Sequence, residues 1–296
     1  MEFVAALLAN TVAYGLVLFL VCAGLTIAFS FMGTLSFAHG AFYALGAYIG
    51  FSVAAAFNAY GFWLALLVSP IVVGVLGSVI EVSVLRAVRP RGHMAELLAT
   101  FGVGVVIIEA IPFIWGRSAL PSYAPQVLEQ SIEFGGWRIS ALRAATCGAA
   151  VLALLVFAWI VTRTRAGLVL RAAQDQPLMV ECAGINLPRW QAVAFGVSAA
   201  LAAFGGVLGG NLMVIEPSMA AGVTMLGFIV IVTGGLGSLR GAFIASMLVA
   251  LVSTFAAVLP GALLGAPLSR WAPAAPLLLM IGVLLVRGEH VVKGRL

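Results

Sequence analysis

Apolar residues in this chain come in unbroken runs, not in the alternation of a half-buried strand or the one-sided stripe of a surface helix. No charged side chain occurs over residues 3–38, only Glu81 interrupts 50–85, and 144–162, 190–215, 217–239 and 241–269 carry none. A helix needs about 20 apolar residues to cross the hydrocarbon of a bilayer, so several runs hold one crossing and the longest holds a crossing plus a turn. The pattern predicts apolar helices near residues 7–30, 37–58, 62–85, 94–116, 143–162, 190–214, 221–236, 241–260 and 271–286. The second is glycine-rich and the seventh short, which makes both of them uncertain as full crossings. The expected fold is all-α: one polytopic membrane domain over 1–296 with about eight or nine transmembrane or re-entrant helices. Barrel strands would alternate lipid-facing apolar with lumen-facing polar residues. These runs are apolar on every face, and helices are the other way to satisfy backbone groups inside lipid.

Composition agrees with the pattern. A chain of 296 residues that is 63% apolar and 8% charged, at a mean hydropathy of +1.18, cannot cover a water-facing surface of ordinary size. The start, 1–10, lacks a basic region and its apolar run continues past any signal-length core, so the first segment is expected to remain as a span. The formal charge of +5 is clustered: Arg86, Arg89 and Arg91 in one short loop, Arg163, Arg165 and Arg171 in a second, and Arg287, Lys293 and Arg295 at the C-terminal end. By the positive-inside rule all three clusters face the cytoplasm. The N terminus then lies outside if the first three segments all cross, and inside if 37–58 is re-entrant. Arginines so few, at span ends and with no basic stripe, exclude a nucleic-acid partner despite a pI near 9.6. Cys22, Cys147 and Cys182 have no metal-ligand spacing and read as small packing residues.

Two connections stand out. The outward loop 117–142 carries Pro121 and Pro125, which rule out a continuous helix. Its residues 132–134 and 137–139 read as a small hairpin turning at Gly135-Gly136. The inward segment 163–189 is long and charged, and reads as one or two short helices followed by a turn that closes at Pro188. Such a segment suggests a docking surface, with the small pair Ala183-Gly184 allowing a partner close approach; the simpler reading is that it covers lipid headgroups.

Small residues recur at four-residue spacing, Gly46/Gly50, Gly205/Gly209, Gly206/Gly210 and Gly237/Gly241, as expected where helices pack closely in lipid. Interruptions near Gly33 and over 234–238 would leave backbone groups that membrane depth tolerates only inside protein or along a cavity. Ser36, His39, Thr233 and Ser238 add hydrogen-bonding side chains beside those two interruptions. With Gly40, Gly234, Gly235 and Glu109 they are the candidate solute-path residues, against the plainer reading of packing and a structural hydrogen-bond network. Glu109, inside the fourth span, is expected to face protein or water. Glu81 and Glu96 bracket the Arg86 loop, where ion pairing or headgroup exposure explains them, and Glu216-Pro217 is expected to end the sixth span. A lone histidine is no metal site. The sequence has no phosphate loop and no nucleophile elbow, so ATP hydrolysis must be done by another chain.

Five stretches in a fixed order resemble a known family. They are 24–30 (GLTIAFS) with 33–40 (GTLSFAHG) and 46–48 (GAY); 81–86 with Arg89-Pro90; Arg163, Arg165 and Gly167 with Arg171-Ala172 and Asp175; 183–186 (AGIN); and 234–238 (GGLGS) with Gly241-Ala242. Over nearly its whole length the chain is similar to the permease subunits of branched-chain amino acid ABC importers. The resemblance implies a non-enzymatic transport subunit of the bacterial inner membrane that moves hydrophobic amino acids by alternating access. It implies a homologous second permease, two cytoplasmic ATP-binding subunits and a periplasmic solute-binding protein as partners. No cofactor is implied in this chain, and ATP and magnesium would sit in the partner ATPases. It also implies that 163–189 is the coupling segment, with Arg171, Asp175, Glu181, Ala183, Gly184 and Asn186 facing the ATPase. Ser36 stands where the family commonly has asparagine, and Arg287-Gly-Glu-His replaces the family's C-terminal Arg-Pro-x-Gly-Leu. Related systems carry amides, urea or aromatic acids, so these remain alternative cargoes; an ATP-independent channel is a further alternative.

Overall fold

The computed structural model describes residues 2–33, 35–57, 60–125, 131–134, 137–258, 262–263 and 266–287. Its helices are α1 (Glu2–Met32), α2 (His39–Phe57), α3 (Gly61–Ile80), α4 (His93–Trp115), α5 (Ala141–Arg163), α6 (Arg165–Asp175), α7 (Pro177–Cys182), α8 (Leu187–Leu212), α9 (Met219–Gly234), α10 (Leu239–Val258) and α11 (Ala275–Arg287). Seven are long and apolar enough to cross a membrane, and α9 and α11 are shorter apolar helices. The expected glycine-rich second segment is among the seven, and the seventh is short as its sequence suggested. α3 continues through one π-turn, Glu81–Leu85, and a last turn to Val88 before Gly92, at φ 97°, separates it from α4.

Helices in lipid gain little from hiding apolar surface from one another, so close packing must hold them together. That logic divides the bundle into centre and rim. α1 and α8 form the centre, with 78% and 72% of their apolar windows buried, against 22% for α4 and 17% for α5. Small residues make the central contacts possible. A Cβ on Gly46 would lie 2.5 Å from the Ala203 Cα, and one on Gly206 would overlap the Tyr43 carbonyl. Three of the four glycine pairs read from the sequence thus serve packing within this chain. In the fourth, Gly241 lies against Gly234 where α9 and α10 meet.

The central pair organises two sets of helices in opposite directions. α1 ends beside the start of α4, where Gly33 lies against His93, whereas α8 starts at that end and finishes beside Tyr123. Each is followed by a break and a helix that runs back: α1 by α2, α8 by α9. The third member of each set then packs on the first member of the other, α3 against α8 and α10 against α1, while α4 rests on α2 and α11 on α9. The first residues of α2 and α9 meet at the middle of this arrangement, Gly40 against Ala220 and Thr224. The two sets are an inverted repeat.

Outside the bundle, β1 (Ser131–Phe134) pairs antiparallel with β2 (Trp137–Ser140), Phe134 opposite Trp137. This is the expected hairpin; its Gly135-Gly136 turn lies outside the described residues, as do residues 288–296 with Lys293 and Arg295. Residues ahead of it form a strap over the end of α8. Leu120 bridges Ile215, Tyr123 donates its hydroxyl to the Val207 carbonyl at 3.1 Å, and the Asn211 amide oxygen accepts from the Tyr123 N–H and the Ser122 hydroxyl. Burial pushes the Tyr123 hydroxyl well above its ordinary pKa.

Candidate functional site

The break between α1 and α2 is built by Gly33, whose φ of 67° suits glycine and ends α1. Phe37 ties the break to its surroundings: its N–H donates to Thr100 Oγ1 at 3.2 Å, and its ring meets Phe101 on α4 and Phe228 on α9. His39 opens α2, buried between the rings of Phe42 and Phe195, with Nε2 3.3 Å from Ser198 Oγ. The Ser198 hydroxyl has one proton and directs it to the Phe195 carbonyl at 2.7 Å. His39 Nε2 is therefore the donor to Ser198, which fixes its tautomer. Ser36 is also buried, and its hydroxyl has no partner among the described residues.

The second break, after α9, uses positive φ at Gly235 (95°) and Gly237 (81°). Thr233 turns its hydroxyl onto the Ile229 carbonyl, and Ser238 Oγ accepts from the Gly241 N–H at 3.1 Å, capping α10. Thr233, Gly234, Ser238 and Arg240 line a cavity of about 360 Å³, with Leu279 and Val283 of α11 also in its wall.

Beyond Glu2 at the very start of α1, three glutamates lie within the long helical segments, and they are treated differently. Glu81 and Glu96 are 0% and 1% exposed, and both are paired with Arg89, at 2.9 and 3.3 Å. The π-turn that begins at Glu81 widens the helix just before it reaches Arg89. The same guanidinium donates to Gln191 on α8, and Arg86 donates to the Pro188 carbonyl at 2.8 Å. Of the two expectations for these glutamates, ion pairing and headgroup exposure, the geometry provides ion pairing. Glu109 is exposed, on the outward face of α4, and makes no hydrogen bond or ion pair among the described residues. At 1.5 Å per residue it lies about 9 Å inside the Trp115 end. A charged side chain at a helix centre costs about 2.5–3.5 kcal/mol on the insertion scale.

The segment between α5 and α8 folds as two short helices, α6 and α7. Thr164 caps α6 by accepting from the Gly167 N–H, and Ala173, Val180 and Leu187 form a small apolar cluster between them. Gly184 turns the chain at φ 80° with nothing within 4 Å of a Cβ placed on it. Asn186 then caps α8 by accepting from the Arg189 N–H at 3.2 Å. Arg171, Glu181, Ala183, Gly184 and Asn186 are all exposed, and the side chain of Asp175 lies outside the described residues.

The structure thus gathers the docking candidates on one surface segment. It places the path candidates in three separate locations: Ser36, His39 and Gly40 in the interior, Thr233 to Ser238 beside the Arg240 cavity, and Glu109 on the outer face of α4. Sequence reasoning missed Ser198 as the partner of His39, Gln191 as the fourth member of the Arg89 cluster, and the exposed Leu178 and Met179 of α7, 75% and 70% accessible. Asn211 and Gln191, polar residues inside or at the edge of an apolar run, were the available signals for two of the polar clusters.

The family described as branched-chain amino acid transport system / permease component matches residues 7–286. The high-affinity branched-chain amino acid transport system permease protein LivH of Salmonella typhimurium is 30% identical over 250 residues, 81% of each chain. The corresponding protein BraD of Pseudomonas aeruginosa is 27% identical, covering 84% of this chain and 85% of its own. Among solved structures, PsaBC from Streptococcus pneumoniae in complex with Fab superposes with a TM-score of 0.46 at 11% identity, covering 96% of this chain and 91% of that one.

Proposed function

We propose, since this chain belongs to the permease-component family of branched-chain amino acid transport systems, that it passes branched-chain or similar hydrophobic amino acids across the membrane as half of a permease pair. It is a multi-pass protein of the bacterial inner membrane, and ATP hydrolysis resides in partner subunits of a heteromeric ABC complex that includes a binding protein. The finer assignment is a homologous second permease, two cytoplasmic ATPases and a periplasmic binding protein around one copy of this chain.

The observation that carries the coupling role is the α6–α7 segment with its exposed Leu178 and Met179 beside the open turn at Gly184. Two large apolar side chains on a water-facing helix suit a groove in a partner. Asn186 links this segment directly to the first turn of α8, the helix on which α1, α2 and α3 all pack. A push on the segment reaches the centre of the bundle through this cap and through the Ala173, Val180 and Leu187 cluster, which ties α6 and α7 to the start of α8. The path is proposed to run outside the tightly packed centre, with the two breaks as the places where helices can shift.

The test is Gly184→Glu in the intact complex reconstituted in vesicles. The expected outcome is ATP hydrolysis no longer matched by leucine uptake, with uptake down at least tenfold and complex yield unchanged. Uptake at the wild-type rate and stoichiometry rejects the docking role.

A further inference from the structure

We propose that the outward face of α4 carrying Glu109 abuts a second, non-identical permease subunit and not lipid. The inference rests on the reading of this chain as half of a permease pair. Three observations lead to it. Glu109 is exposed within an apolar span with no donor among the described residues of its own chain, whereas Glu81 and Glu96 are buried on Arg89. The chain therefore neutralises its internal carboxylates wherever it can reach them, and Glu109 must find its donor elsewhere. Lipid tails have none to offer.

The surroundings of Glu109 suit a protein neighbour. Gly102, Val106, Glu109 and Phe113 fall on one stripe of α4 at helical spacing, all of them exposed, and a Cβ on Gly102 would meet nothing within 4 Å. This gives a step about two turns below the carboxylate, with Phe113, 92% exposed, about one turn above it. The exposed stripe of α3 is different: Trp63, Leu67, Ile71, Val75 and Val79 carry no charge, the composition of a surface that meets lipid. Charge selects the occupant. A second copy of this chain across a twofold axis would bring one Glu109 towards another, and like charges in a low-dielectric seam repel. A related permease with a lysine, arginine or other donor at that depth neutralises it instead.

The experiment uses the complete complex with Cys22, Cys147 and Cys182 replaced and its uptake intact. Single cysteines at positions 102, 106 and 113 carry a photoactivated benzophenone, and cysteines at 67, 71 and 75 serve as the comparison. Adducts with the second permease from the α4 set, and with lipid alone from the α3 set, are expected. Lipid adducts alone from both sets, adducts with a second copy of this chain, or adducts within the chain itself overturn the proposal. Glu109→Leu gives an independent arm, with a tenfold or greater loss of uptake expected and Glu109→Gln retaining more. If Glu109→Leu leaves uptake and complex yield at wild-type levels, the face meets lipid and the proposal fails. If the wild-type complex takes up no hydrophobic amino acid while the α4 adducts form, the cargo assignment fails and the interface stands.

Discussion

The Arg89 cluster and the break at Ser36 and His39 both bury polar side chains inside an apolar bundle, and they do so by different means. Around Arg89, one guanidinium gathers two carboxylates and an amide from three segments, and Arg86 adds a bond to the Pro188 carbonyl. At the break, His39 holds one bond of 3.3 Å, Ser36 holds none among the described residues, and the backbones approach so closely that Gly40 and Gly46 have no room for a side chain. The first region is held by charge and the second by packing. A charged cluster has a deep, specific minimum, suited to locking the end of the bundle next to the docking segment. A packed break with few directed bonds suits a place where helices slide.

The largest expected effect comes from removing the charge at the centre of the first region. Arg89→Leu leaves Glu81 and Glu96 buried without their common partner, and breaking a buried pair in this way costs about 3–5 kcal/mol. Purified Arg89→Leu protein should show a lowered thermal midpoint in detergent and poor recovery of the complex. Adding Glu81→Gln and Glu96→Gln should restore part of the loss, because the desolvated charges are then gone. A single Arg89→Leu variant as stable as wild type would mean that water reaches both carboxylates, and the contrast with the break would collapse.

How much of this was legible beforehand follows the same division. Long uncharged runs fixed the helices, because crossing a bilayer demands apolar residues at every position, and helix ends needed only glycine, proline and arginine to mark them. The glycines at positions 33, 235 and 237 identified both breaks, since their φ values of 67°, 95° and 81° suit glycine. The inverted repeat was not visible. α1 and α8 share apolar character but no periodic signature, and packing partners far apart in sequence leave no local trace. Sequence set Glu96 beside the arginine loop but could not say which face of the span Glu109 occupies. Both sit in one apolar helix, and only the rotation of α4 against α2 buries one and exposes the other.

The next effect tests the claim that packing holds the break. Gly46→Ala places a methyl 2.5 Å from the Ala203 backbone, which cannot yield as a flexible side-chain tip would. Overpacking of this kind costs about 1–3 kcal/mol, and it should separate α2 from α8 enough to lower the unfolding midpoint measurably. Gly148→Ala, at an exposed position with nothing within 4 Å, should stay within about 0.5 kcal/mol of wild type. Equal thermal shifts for the two variants would show that the α2–α8 contact relaxes freely and that the break is not packing-controlled.

The smallest effect concerns the one directed bond at the break. Since the Ser198 proton goes to Phe195, Ser198→Ala removes the acceptor for His39 Nε2 and leaves the Phe195 carbonyl with one bond fewer. A single neutral hydrogen bond contributes about 0.5–1.5 kcal/mol net, so the coupling between Ser198→Ala and His39→Leu in a double-mutant cycle should lie in that range. It should be smaller than the corresponding coupling of Arg89 with Glu81, which involves a buried charge. The cycle isolates the pair because the packing losses of each single change appear on both sides and cancel. A His39–Ser198 coupling at or above the Arg89–Glu81 value would make the break a locked polar site, and it would then be a poor place for helices to move during transport.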